Sequence, residues 1–141
     1  MLKRYLLAPG PTPVPPEVLL SMAMPIIHHR SPDFLPVLDS AKKGLQWLYQ
    51  TNNDVLILAS TGTGGMVGAV NNFFNPEDKV LVINGGKFGE RWTKICQAYR
   101  LNAQEIVVEW GYSIKPDIVE AALKKDPDIK AVFVQATETS T

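Results

Sequence analysis

The chain has one cysteine, Cys96, in 141 residues. That excludes an internal disulfide and any metal cluster built from cysteine alone. It has no surplus of charge: Lys+Arg and Asp+Glu number 14 each. Nothing in that balance draws the chain to nucleic acid or to an anionic membrane. No apolar run approaches the ~20 residues a membrane-spanning helix needs. The opening Met1–Pro9 is too short, and too soon broken by proline, for a signal peptide. These absences leave an expected cytoplasmic globular protein. A hydrophobic share of 45% and a charged share of 20% agree with that class. A length of 141 residues suits one domain.

What the chain does have begins with proline. Pro9, Pro11, Pro13, Pro15 and Pro16 fix φ and remove hydrogen-bond donors, so residues 1–20 read as an extended arm. Pro16 can open a short helix through Met22. Ser31 followed by Pro32 reads as an N-cap and first turn, and Phe34, Leu35, Leu38, Leu45, Leu48 and Tyr49 recur at helical spacing, so Ser31–Gln50 is an expected helix. The rhythm then changes. Val55–Leu58 is a short continuous apolar run, the pattern of a buried parallel strand. Further strands are expected at Lys79–Ile83, Ala103–Val108 and Lys130–Gln135, with helices at Thr63–Phe74, Phe88–Tyr99 and Pro116–Lys125. Strands alternating with helices imply an α/β fold with a mostly parallel sheet. Residues 21–141 would be the globular part.

Parallel α/β sheets bind ligands at the carboxyl ends of their strands. Four such ends are legible: Ser60–Gly65, Asn84–Lys87, Glu109–Tyr112 and Ala136–Thr141. The first is the richest, with three glycines and three hydroxyls in Ser60-Thr61-Gly62-Thr63-Gly64-Gly65. Glycine lets a backbone approach a ligand closely, and a helix N-terminus favours an anion. A phosphate is the expected guest, against a plain βα turn whose threonine only caps the helix. The loop lacks the Gly-Lys-Ser/Thr ending of a nucleoside-triphosphate loop. Gly62-x-Gly64-x-x-x-Gly68 is a variant dinucleotide fingerprint, but the acidic ribose partner is missing where the next strand ends in Ile83-Asn84. A nicotinamide-dependent oxidoreductase is therefore the second reading.

Taken in order, several short motifs resemble the front part of a class V, fold-type I aminotransferase that uses pyridoxal phosphate, of the alanine–glyoxylate and serine–pyruvate type. They are Pro9-Gly10-Pro11-Thr12 with Val14-Pro15-Pro16, then His29-Arg30-Ser31-Pro32-Asp33-Phe34. Ser60-Thr61-Gly62-Thr63-Gly64 follows, then Asn84-Gly85-Gly86-Lys87-Phe88-Gly89-Glu90-Arg91, and Glu138-Thr139-Ser140-Thr141. The resemblance implies the N-terminal part of the large cofactor domain, with an α/β/α layering left incomplete. It implies pyridoxal 5'-phosphate as cofactor, with Thr61, Gly62 and Thr63 at its phosphate. Phe88 would stack on its ring, where relatives often place tryptophan, and Thr139 would sit beside its phenolic oxygen. Gly10 would line the substrate pocket. The implied reaction moves an amino group from alanine or serine to a 2-oxo acid such as glyoxylate or pyruvate, in a homodimer.

Such chemistry also needs a lysine that binds the cofactor covalently, an aspartate for the ring nitrogen and an arginine for the substrate carboxylate. By the family pattern all three fall after Thr141. The 141 residues are thus expected to be a fragment, inactive as a transaminase alone, with no catalytic residue and no metal site. Lys87 is expected to be an exposed loop lysine, Trp92 a core residue, Cys96 an inert thiol, and His29-Arg30 structural. A lyase or desulfurase of the same fold and a non-enzymatic binding module remain alternatives. Proteins of this kind have also been labelled hydrogenase subunits, which a single cysteine does not support as a metal-ligating set.

Overall fold

The computed structural model describes residues 6–141. Its contacts divide into two compact units, one ending at Ala59 and one spanning Ser60–Thr141.

In the first unit, α1 spans Pro16–Met22 with proline at its first position. Its missing N–H costs nothing there, since leading N–H groups lack intrahelical partners. The Gly10–Pro11 peptide bond is cis. The second helix, α2, spans Phe34–Leu48 and is shorter at both ends than its periodicity suggests. Ser31 does not cap it. Asp33 precedes the helix without a side-chain capping bond, and Ser31 instead accepts from the Phe34 N–H through its carbonyl, at 3.1 Å. A residue before proline is disfavoured in the helical region, so Ser31-Pro32 makes a turn and the helix starts beyond it. At the other end Gln50 takes φ 52°, a left-handed step that ends the helix at Leu48.

The expected strand Val55–Leu58 is not formed. Leu56, Ile57 and Leu58 are 76%, 58% and 68% exposed. An extended segment becomes a strand only when a neighbour takes its N–H and C=O groups. Among the described residues no strand lies alongside it. Burial tells the same story for the whole unit, where none of the described residues is buried.

The second unit opens with α3, Gly62–Phe73. It then alternates β1 (Lys79–Asn84), α4 (Lys87–Ala98), β2 (Asn102–Val107), α5 (Pro116–Lys125) and β3 (Ala131–Phe133). The sheet is parallel with order β2-β1-β3. Its middle strand carries Val80, Leu81, Val82 and Ile83, all buried. That placement explains the unbroken apolar run, since a central parallel strand is covered on both faces.

The core joins Val80 and Val82 to Val70 of α3, Ile95 and Cys96 of α4, Leu101, and Phe133 of β3. Trp92 stacks on Phe133 at 4.7 Å between centroids, and Phe74 meets the same ring edge-on at 5.5 Å. Trp92 is thus a core residue. The third strand stops at Phe133 instead of Gln135. Its register with β1 ends at Val82↔Phe133, and Val134, with no partner on the outer edge, is 51% exposed. Below the sheet, Lys79 at the start of β1 pairs with Asp126 and Asp128 beyond α5, at 3.0 and 3.2 Å.

Candidate functional site

The site grows from the turn into α3. Thr61 keeps extended backbone angles (φ −97°, ψ 171°) and is the N-cap. Its Oγ1 accepts the N–H of Gly64 at 3.4 Å, and its carbonyl takes the N–H of Gly65 at 3.2 Å. A Cβ on Gly64 would overlap the Ser60 hydroxyl, which would then have to turn away. Two residues into the helix, Thr63 Oγ1 accepts from Nη1 of Arg91 at 2.9 Å. Arg91 belongs to α4 and its guanidinium also lies over the Phe88 ring, 5.1 Å from the centroid. Thr61, Gly62, Thr63, Phe88, Arg91 and Gln135 line one cavity of about 320 Å³.

Hydrogen-bond arithmetic gives this cavity a polarity. A threonine hydroxyl has one proton to donate and two lone pairs. At both Thr61 and Thr63 a lone pair is already taken by a protein N–H. Both protons are then available to an acceptor. The first N–H groups of α3 add donors, and the helix dipole favours negative charge. Arg91 supplies a full positive charge at the wall. The arrangement suits an anion next to an aromatic ring.

The N-terminus of α4 is different, because the protein fills it with its own carboxylate. Glu138, beyond β3, accepts from the backbone N–H of Phe88 and of Gly89, each at 3.0 Å. Ser140 donates to Glu138 through Oγ at 2.6 Å and accepts the N–H of Lys87 at 2.9 Å. Gly86 makes room: a Cβ on it would come within 2.5 Å of Glu138 Cγ and 2.7 Å of Ser140 Oγ. Burial works to raise the Glu138 pKa. The hydrogen bonds from Ser140 and from the Gly89, Ser140 and Phe88 N–H groups outweigh it, and the carboxyl sits below its ordinary value. Of these two helix starts, α3 is the one with no side chain from another element seated on its first N–H groups, those of Gly62 and Thr63.

The structure thus brings Thr61, Gly62, Thr63 and Phe88 to one cavity. Thr139 is exposed, in the turn after β3. It is not among that cavity's lining residues. It is chain neighbour to Glu138, which holds the Phe88 N–H. Gly10 is exposed and belongs to the other unit. Asn84, where a dinucleotide site would want an acid, donates instead to Glu105 at 2.9 Å. Lys87 is exposed and paired with Glu90 at 3.0 Å. Cys96 is fully buried, and burial pushes its thiol up to about 11. His28 and His29 stack on each other, exposed, at 4.6 Å.

Four residues of the site have no role in the sequence expectations: Arg91, Glu138 and Ser140 lie within the quoted motifs and Gln135 at an expected strand end. For Arg91 the signal existed, since it follows Phe88 by three residues and helical neighbours at that spacing share a face. Glu138 and Ser140 reach back about 50 residues, and no local pattern announces that.

No family model matches the chain. Known proteins do. The chain is 45% identical over 141 residues to a soluble hydrogenase small subunit of Synechococcus sp. (strain PCC 6716), covering 99% of the chain and 37% of the relative. It is 44% identical over 139 residues to an uncharacterized aminotransferase of Methanocaldococcus jannaschii, covering 99% and 36%. It is 37% identical over 136 residues to the L-aspartate–glyoxylate aminotransferase of Paracoccus denitrificans, covering 94% and 34%. Among solved structures, ureidoglycine–glyoxylate aminotransferase of Bacillus subtilis matches with a TM-score of 0.81 at 30% identity, covering 93% of the chain and 35% of that protein. Alanine–glyoxylate aminotransferase of Nostoc sp. matches at 0.79 and 30%, covering 89% and 33%.

In sequence and in fold the chain resembles the N-terminal part of class V aminotransferases. It spans about a third of the length of the relatives it matches. These matches cover both described units and include the turn into α3 and the start of α4. The hydrogenase name on one relative belongs to that protein. Among the described residues no three His, Cys, Asp or Glu side chains converge as metal ligands.

Proposed function

We propose that the Thr61–Gly65 turn seats the phosphate of pyridoxal 5'-phosphate, in a protein that moves the amino group of alanine or serine to glyoxylate or pyruvate. The observation that carries the reading is the shared state of Thr61 and Thr63. Each hydroxyl oxygen accepts from the protein, so each proton is free to donate into the cavity that holds the Phe88 ring. A phosphate needs donors and a pyridine ring needs a flat apolar face. Both stand within one lining, so the donor set fits the group.

When bound, that cofactor supplies the electron sink that lets an amino acid lose its α-proton. This chain's residues supply its seat. Thr61 and Thr63 donate to the phosphate, with the leading N–H groups of α3. Phe88 lies against the ring, and Glu138 holds the first turn of α4 so that the ring has a fixed platform. By the resemblance, Thr139 would stand beside the cofactor's phenolic oxygen and Gly10 would line the substrate pocket. The covalent lysine, the ring-nitrogen aspartate and the substrate arginine belong to the remainder of the whole protein, which acts as a homodimer. Glyoxylate as acceptor draws support from the names of the relatives. Glycine formation from glyoxylate would then accompany conversion of alanine to pyruvate.

The test is cofactor uptake by the whole protein, followed by amino transfer. Absorbance should report pyridoxal 5'-phosphate bound in equal number to the chains, and alanine or serine with glyoxylate should yield glycine. Thr63→Val should weaken uptake about tenfold, the loss of one hydrogen bond to a charged group. Uptake of a nicotinamide dinucleotide in place of pyridoxal phosphate would overturn the reading. Sulfide release from added cysteine, or pyruvate release from serine without an acceptor, would move the activity to a lyase of the same fold.

A further inference from the structure

We propose that Arg91 is a positioning residue for the cofactor, a single guanidinium that fixes both the Thr63 hydroxyl and the Phe88 ring. The inference rests on the reading of the Thr61–Gly65 turn given above. Arg91 lies on α4, one turn after Phe88, and reaches α3 through its bond to Thr63 at 2.9 Å. The same guanidinium stands 5.1 Å from the centroid of the Phe88 ring. All three residues line the one cavity.

Each contact has a directional consequence. A guanidinium has five donors and no acceptor. Thr63 Oγ1 can therefore only accept from it, and the Thr63 proton must turn toward another acceptor. Without Arg91 that proton would be free to rotate toward water or a backbone carbonyl. At Phe88 the flat cation covers one ring face, favoured by the ring's negative quadrupole. That hinders the ring from flipping and leaves the opposite face for a flat heteroaromatic guest. Lysine could not do both jobs, because its ammonium is a point charge without the planar fork. In this arrangement Arg91 acts on the guest through its two neighbours. It is not itself the phosphate ligand.

The experiment uses the whole protein and two probes, pyridoxamine 5'-phosphate and pyridoxamine. Neither has an aldehyde, so neither reacts with surface lysines. Affinity is read by fluorescence quenching, and ring orientation by the circular dichroism induced in the bound chromophore. Arg91→Met should weaken pyridoxamine 5'-phosphate about tenfold and diminish the induced signal. Thr63→Val alone should cost a similar factor. The double variant should be no more than about twofold worse than either single, because both changes remove the same aimed proton. Pyridoxamine, which has no phosphate, should bind the parent and Thr63→Val about equally. Arg91→Lys should recover part of the affinity while the induced signal stays low.

Losses that multiply in the double variant would overturn the proposal, since Arg91 would then act on the phosphate directly. An unchanged affinity and signal in Arg91→Met would overturn it too. Failure of the unaltered protein to bind pyridoxamine 5'-phosphate would instead remove the reading of the turn, and this inference with it. Arg91 is exposed, so Arg91→Met should fold. A thermal melt checks this. Should the methionine variant melt early, Arg91→Lys keeps the charge and decides the matter through its induced signal.

Discussion

The carboxylate of Glu138 accepts the backbone N–H of Gly89 at 3.0 Å, joining two residues 49 positions apart in sequence. With the Phe88 N–H on the same oxygen, it serves α4 as a cap delivered from another element. Glu138→Gln should therefore destabilise the fold by about 1–2 kcal/mol at neutral pH, the range for losing a helix cap. An amide keeps one acceptor oxygen but loses the charge that favours the helix start. The sign follows from the lowered pKa. Stability from the ionised group is fully present above the ordinary value of 4.5 and is lost as pH falls through the folded value. Urea unfolding at pH 7 and below pH 4 should show the gap between Glu138→Gln and the parent narrowing in acid. A gap that stays constant with pH would contradict this role for the charge.

Two glycines of the same region should respond differently to alanine. At Gly86 the new Cβ meets side-chain atoms of Glu138 and Ser140. At Gly89 it meets the backbone of β1, 2.8 Å from Asn84 Cα and from the Ile83 carbonyl oxygen. Side chains can give way where a strand cannot. Gly86→Ala should cost about 1–3 kcal/mol, an overpacking figure. Much of that should vanish when Glu138 is also changed to alanine, because the clash and the cap are removed together. Gly89→Ala should cost more and find no relief in the Glu138→Ala background. Chemical denaturation of these single and double variants decides it.

Thr61 and Thr63 stand two residues apart and should separate stability from affinity. Thr61 caps α3 through Oγ1, so Thr61→Val should lose about 1 kcal/mol of stability as well as cofactor affinity. Thr63 bonds only to the exposed Arg91 among protein partners found for its hydroxyl. Thr63→Val should therefore unfold at nearly the parent's urea midpoint while binding pyridoxamine 5'-phosphate more weakly. Equal effects of both changes on stability would contradict the division of roles.

Cys96 should be silent to thiol reagents in the folded protein. It is 0% exposed, and burial raises its thiol to about 11, so thiolate is scarce at neutral pH. Labelling with iodoacetamide at pH 8 should track global unfolding in urea. Fast labelling in the native state would mean that α4 opens locally.

The sheet's middle strand and the helices α1 and α5 were legible because their patterns are local: an apolar run for β1 and a first-turn proline for α1 and α5. The Val55–Leu58 segment has the same apolar pattern and no strand, because pairing depends on a neighbour that hydropathy does not name. Ser31 failed as a cap for a local reason that outweighed its own preference, the proline at 32. In the site, the threonines and glycines announced themselves by composition. The donors' direction did not. It depends on Arg91 meeting Thr63 across 28 positions and on Glu138 meeting α4, relations created by the sheet order and invisible along the chain.

Of the sheet's three strands, β1 lies in the middle yet comes first along the chain. A ribosome releases the chain N-terminus first, so this strand's buried valines and leucine emerge with both flanks bare. β2 can cover one side some twenty residues later, about one crossover unit on. β3 and the Glu138 cap arrive only later still, after α5. The platform under Phe88 is thus finished after everything it rests on, and a nascent chain paused before Phe133 would show an open apolar edge to chaperones and to its own kind.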